Sequence, residues 1–197
     1  AAHCIDVEGI LEETGLEGVE ITDMEFAWAP QADLSMYGFG LSDPPPYPDV
    51  HAVAWDWVFP DDWNINMLQM GLARNHDIGL MFLEKPVLDR DFAYILTEEE
   101  DEQFKLNNEV VVVGWGQQTD DQQAPAGTVG FKKMGTSFIA EKTAAEFKVG
   151  ELPEDESKCH GDSAVPPFLE IDTESLAKWR IVGVTFHAGH FTHLTAS

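Results

Sequence analysis

The chain has 197 residues, with 36 acidic side chains against 11 Lys plus Arg and a net charge of −25. That length buries a sizeable core as one domain or two small ones. The charge argues against nucleic acid as a partner, since phosphates would be repelled. No apolar run approaches the roughly 20 residues of a bilayer-crossing helix, so no membrane partner is expected. The acidic excess reads as a solubility device or a response to salt, with a preference for basic substrates as the sharper alternative. It bears on association and not on fold.

In chain order, residues 5–18 are acidic and glycine-spaced, which predicts a helical turn and a loop. Residues 19–21 and 25–29 are candidate strands. Residues 31–48 include Pro44-Pro45-Pro46 and predict a long surface loop. Residues 50–59 alternate, with Val53, Trp55 and Trp57 on one face and Ala52, Ala54 and Asp56 on the other, the pattern of a half-buried strand. The tryptophans read as core and not as stacking platforms. Pro60-Asp61-Asp62 ends that strand and would cap a short helix over 63–73, with Ile65, Leu68 and Leu72 on one side.

Residues 78–83 form an apolar run suited to a buried strand. Residues 98–102 are all acidic and read as a solvated linker. The boundary between two units, 1–104 and 105–197, is drawn there. Residues 109–115, with four consecutive valines, would open the second unit, and 117–127 would be a polar loop. Residues 131–140 and 146–149 predict strands, and 168–171 with 179–186 a hairpin. Short β-rich runs between turn signals predict an all-β barrel class.

The chemistry centres on Cys159-His160-Gly161-Asp162-Ser163-Ala164, which suggests a nucleophilic serine on a tight turn. A serine hydroxyl hardly ionises at neutral pH and needs a base, and the base needs an orienter. Ala1-Ala2-His3-Cys4 supplies a histidine, and His76-Asp77-Ile78-Gly79-Leu80 an acid. Asp77 follows His3 by 74 residues, and Ser163 follows Asp77 by 86. The order His, Asp, Ser differs from the subtilisin and α/β-hydrolase orders. His3 alone would read as an ordinary surface histidine; the other motifs assign it a catalytic role.

With Val113-Gly114-Trp115-Gly116 and Trp179-Arg180-Ile181-Val182-Gly183-Val184-Thr185, these motifs make the chain resemble the chymotrypsin/trypsin-like serine proteases, most of all their bacterial secreted members. All five fall in family order over nearly the whole chain. The resemblance implies two six-stranded antiparallel β-barrels. The remainder of the first, in 1–104, would carry His3 and Asp77; the second, in 105–197, would carry Ser163 and the specificity pocket. The start of the first barrel and the C-terminal helix are expected to be incomplete in this chain.

The implied function is a serine endopeptidase working through an acyl-enzyme, with His3 as general base, Asp77 as its orienter and Ser163 as nucleophile. The N–H groups of Gly161 and Ser163 would form the oxyanion hole. Ser157, six residues before the nucleophile, would floor the primary pocket, with Phe186, His187 and Ala188 on its wall. An uncharged floor favours Phe, Tyr, Leu or Met over Lys or Arg in the substrate, because a buried cation would go uncompensated. Asp162 matches the aspartate that receives a new N-terminal ammonium on activation. The expected partners are a protein or peptide substrate and a separate N-terminal segment completing the first barrel. No cofactor is expected, and the setting would be secreted or extracellular. A second reading is a catalytically inactive homologue that binds or regulates.

The chain also departs from the family pattern. Ala164-Val165-Pro166 stands where the family has Gly-Gly-Pro, and Cβ atoms on that turn would shift the nucleophile. As a pair, Cys4 and Cys159 could bridge only with Cα atoms within about 7 Å. The resemblance implies instead a partner for Cys4 upstream, and one for Cys159 in the pocket wall, where no cysteine stands. His187, His190 and His193 would share a helix face and could hold a metal, but on a strand they would not converge. The acidic runs lack the calcium-loop spacing.

Overall fold

The computed structural model describes residues 2–6, 24–26, 52–64, 76–88, 92–116, 132–150, 162–175, 177–187, 190–193 and 196. The anticipated loops over 31–48 and 117–127 and most of the helix over 63–73 lie outside these residues. So do Ser157, Cys159, Gly161 and Ala188. The described residues are mostly strand and hold no α-helix, which is compatible with the expected all-β class. None of their helices is long and apolar enough to cross a membrane.

Three strands, β1 (Met24–Phe26), β2 (Ala52–Val58) and β3 (Leu80–Leu83), form an antiparallel sheet in the order β1-β2-β3. Alternation in β2 is real, but the small residues occupy the buried face. Ala54 and Ala52 pair with Met24 and Phe26 and are buried, whereas Trp55 is 59 % exposed. A register shift between Ala54 and Asp56 turns the strand there. Trp55 therefore leans on Phe82, ring centroids 6.3 Å apart, and does not enter the core. The run 78–83 does yield a strand, β3, but all four of its residues are exposed, Leu80 most of all at 62 %. Among the described residues β3 pairs with β2 along one edge only, so apolar character alone did not bury it.

The larger sheet has eight strands: β4 (Tyr94–Ile95), β5 (Glu109–Gly114), β6 (Lys133–Lys142), β7 (Glu146–Val149), β8 (Pro167–Glu170), β9 (Trp179–Ile181), β10 (Gly183–His187) and β11 (His190–His193). Their order is β10-β11-β7-β6-β5-β8-β9-β4. Only the β4–β9 pair is parallel. The 179–186 run splits at Val182, whose N–H donates to the Pro167 carbonyl at 3.2 Å. β9 stays beside β8, and β10 crosses to the far edge, where it pairs with β11. The sheet curls far enough that β10 meets the residues leading into β8.

The main apolar core lies within this sheet. Valines alternate along β5, with Val110 and Val112 buried and Val111 and Val113 partly so. Phe147 stacks on Phe191 at 5.0 Å and meets Phe104 edge-on at 4.9 Å. Each such ring contributes roughly 1.5–3 kcal/mol by leaving water, and the aromatic geometry adds to this.

The acidic run 98–102 is solvated only in part: Glu98, Glu99 and Glu102 are exposed, while Glu100 and Asp101 are half-buried. It folds into a turn and a short 3-10 helix, Asp101–Gln103, against the large sheet. Glu100 takes a two-pronged bond from Arg180: Nε to Oε2 at 2.8 Å and Nη2 to Oε1 at 2.6 Å. Arg180 also donates to the Ala177 carbonyl at 2.6 Å, and Glu100 accepts the Thr97 N–H at 3.1 Å. Arg180 is buried, so its charge requires this partner. β4 precedes the division at 104 drawn from the sequence, yet it belongs to the large sheet.

The Arg180 hydrogen bond holds the Glu100 carboxyl below the usual carboxylate range. A lowered carboxyl pKa means that stability is fully present above the unfolded value, about 4.3, and is lost as pH falls through the folded value. Glu100→Gln should therefore lower unfolding free energy by about 1.5–3 kcal/mol at pH 7. The gap between wild type and variant should shrink below about pH 4. Denaturant titrations at a series of pH values measure both, and a gap independent of pH would contradict the pairing.

Candidate active site

His3 sits on the 3-10 turn Ala2–Cys4, which is closed by the N–H groups of Ile5 and Asp6, each 2.8 Å from the Ala2 carbonyl. The His3 side chain lies outside the described residues. Ala2 and Ile5 point into the protein, while Cys4 is exposed and forms no disulfide among the described residues. The Ile5 side chain lies against Gly79. A Cβ there would sit 3.1 Å from Ile5 Cγ1 and 3.3 Å from the Val58 carbonyl, and closer still to Ile5 Cδ1. Glycine at 79 thus lets the His3 turn lie directly on the segment that carries Asp77.

Asp77 has no exposed surface. The backbone kinks around it: His76 adopts φ 48°, and the Ile78 N–H reaches the His76 carbonyl at 2.7 Å. His76 Nδ1 lies 2.7 Å from Asp62 Oδ2. The next residue of the 60–64 turn, Trp63, donates its indole N–H to Asp6 Oδ2 at 2.8 Å. Two consecutive side chains of that turn therefore reach the two segments that carry His3 and Asp77.

Ser163 lies on a tight turn over 162–165, closed by the Val165 N–H donating to the Asp162 carbonyl at 3.3 Å. The turn is tied to β10: the Ala164 N–H donates to the Thr185 carbonyl at 2.9 Å, and the Thr185 N–H to the Val165 carbonyl at 3.2 Å. The Thr185 hydroxyl donates to that same Val165 oxygen at 2.6 Å. Ser163 and Ala164 are exposed, whereas Asp162 is buried. Asp162 Oδ1 accepts the Gly116 N–H at 2.7 Å. The carboxylate also packs on Gly114, where an added Cβ would fall 2.6 Å from its Cγ. Two of the sequence motifs, Val113-Gly114-Trp115-Gly116 and Gly161-Asp162-Ser163, are thus joined by one buried acid.

Of the residues assigned to the pocket wall, Phe186 is buried in β10. His187 ends the same strand and pairs in register with His190, while His193 lies opposite Gly183. Phe186 and His187 thus lie on the β10 arm of the β10–β11 hairpin. The alternation Phe186-His187 and His190-Phe191 around Ala188-Gly189 carried that hairpin signal. The contacts that Asp6, Asp62, Trp63 and Thr185 make around the site were not legible in the sequence. They span 57, 14 and 20 positions, which no local pattern encodes.

No protein-family model matches the chain, and no curated protein matches it.

Ala164 adopts φ 67°, a left-handed conformation that costs a residue with a Cβ about 1–2 kcal/mol. Ala164→Gly should raise unfolding free energy by about 1 kcal/mol, after allowance for the freer unfolded chain. Gly114→Ala should lower it by about 2 kcal/mol or more, since the new methyl meets a buried carboxylate held on both sides. Chemical denaturation of the two variants measures both effects. Equal stability of Gly114→Ala and wild type would contradict the Asp162 packing.

Proposed function

We propose that the chain is a serine endopeptidase of the trypsin-like kind, with His3, Asp77 and Ser163 as its triad. One observation carries the reading: the His3 turn lies directly on the segment in which Asp77 is buried, while Ser163 is exposed on a turn fixed from both sides. A nucleophile must meet substrate, and the acid behind its base works best where water is excluded. In this reading His3 takes the Ser163 proton as Ser163 attacks the peptide carbonyl, then returns it to the leaving amine. Water repeats the cycle on the acyl-enzyme. Asp77 fixes the imidazole tautomer and stabilises its charged form. The N–H groups of Gly161 and Ser163 receive the developing oxyanion, each worth roughly 3 kcal/mol of barrier.

The fold proposed for this chemistry is the two-barrel one. The curl of the large sheet supports its second barrel. Six strands run from β10 to β8, and the 164–185 and 165–185 hydrogen bonds span the gap between these two ends. The three-stranded sheet would belong to the first barrel. Cleavage after Phe, Tyr, Leu or Met, with Ser157 as the pocket floor, and an extracellular setting follow from the same reading. The alternative, an inactive homologue that binds or regulates, has one observation in its favour: the Cβ of Ala164 in a left-handed turn beside the nucleophile.

A fluorophosphonate probe decides between them. Wild type should be labelled on Ser163, and neither Ser163→Ala nor His3→Ala should be. Failure of folded wild type to label would favour the binding module. Peptide-library profiling of an active preparation should give cleavage after apolar residues. Dominant cleavage after Arg or Lys would overturn Ser157 as the floor.

A further inference from the structure

The 60–64 turn joins the two segments that the proposed mechanism must hold in register. Its backbone is closed by the Trp63 N–H donating to the Pro60 carbonyl at 3.0 Å. From it, Asp62 reaches His76, the residue before Asp77, at 2.7 Å. Trp63, itself buried, reaches Asp6 at 2.8 Å. Asp6 is in turn fixed to the His3 turn, because its N–H donates to the Ala2 carbonyl at 2.8 Å. The path from the His3 turn to the Asp77 segment therefore runs Ala2, Asp6, Trp63, Asp62, His76, entirely through hydrogen bonds and one tight turn. It is independent of the Ile5–Gly79 packing, which resists compression but not sliding.

We propose that Trp63 and Asp6 are positioning residues, which set the angle at which the His3 turn meets Asp77. The proposal rests on the serine endopeptidase reading for its catalytic consequence, but the bracket itself is a structural statement. The two groups suit the task. An indole ring has few rotatable bonds and little room once buried, so its N–H fixes a direction. A charged acceptor makes that bond stronger than a neutral one. A misplacement of about 1 Å at a reacting group can cost a hundredfold in rate, so loss of the bracket should act on turnover more than on substrate binding.

Three variants test it: Trp63→Phe, which keeps a ring and removes the donor; Asp6→Leu, which removes the acceptor; and Asp6→Asn, which keeps an acceptor oxygen. Labelling of Ser163 by the fluorophosphonate and hydrolysis of a short ester substrate should slow by about tenfold to a hundredfold in the first two, with KM little changed. Asp6→Asn should stay within about threefold of wild type, since its amide oxygen can still accept. Native-state hydrogen exchange gives a readout free of activity. The Ile5 and Asp6 amides should exchange faster in Trp63→Phe and Asp6→Leu, while the Val110 and Val112 amides keep their protection.

Faster exchange with unchanged labelling would overturn the positioning role and leave a purely structural bond. Unchanged exchange at Ile5 and Asp6 would overturn the bracket. If wild type itself does not label, the endopeptidase reading fails. The bracket then stands or falls on the exchange result alone.

Discussion

The Asp162 carboxylate, buried against two glycines, is the constraint on which the Ser163 side of the molecule depends. A buried charge is tolerated only where hydrogen-bond donors replace water, and Gly116 offers its N–H at 2.7 Å. Gly114 leaves the space that lets the carboxylate come so close. This contact ties the end of β5 to the turn before β8. The Thr185 backbone holds the same turn from the side of β10. Three distant parts of the chain therefore meet around one acid, and Ser163 is presented at the surface because its neighbour points inward. The exposed and strained character of 163–164 is the other face of that anchoring.

The His3 side is organised differently. It has no large core of its own among the described residues; the main apolar cluster lies within the eight-stranded sheet. Close packing of Ile5 on Gly79 and a few side-chain hydrogen bonds hold its segments together. Such contacts are short-ranged and directional. They suit a site in which a base and its orienter must be held at a fixed angle, and they are more sensitive to single substitutions than a broad apolar interface.

Strands with strong local signals were legible in the sequence. The valines of β5 and the run over 146–149 became strands at the expected places because alternation and β-branching act locally. The fate of other runs depended on neighbours. β3 is as apolar as a core strand, but among the described residues it lies at a sheet edge, and it stays exposed. Glu100 looks like one more solvated acid until Arg180, 80 positions later, is brought beside it. The 179–186 run carries one signal at its split, Gly183 after Val182, but the crossing of β10 to the far edge depends on the curl of the sheet. At the candidate site, Ser163 and Asp77 were legible as motif residues, and Ala164 as a departure from the family pattern, while its left-handed backbone was not. The residues that hold them in place were not, because a hydrogen bond between Trp63 and Asp6 leaves no trace in local pattern.

The anchoring role of Asp162 is open to direct measurement by hydrogen exchange at the Gly116 and Ala164 amides. In wild type both should be strongly protected, the first by the carboxylate and the second by the Thr185 carbonyl. In Asp162→Ala both should lose protection together, while Val110 and Val112 in the core of the sheet should keep theirs. Rapid exchange of the Gly116 amide in wild type, or an Ala164 amide that stays protected when Asp162 is removed, would contradict the account of how Ser163 is held.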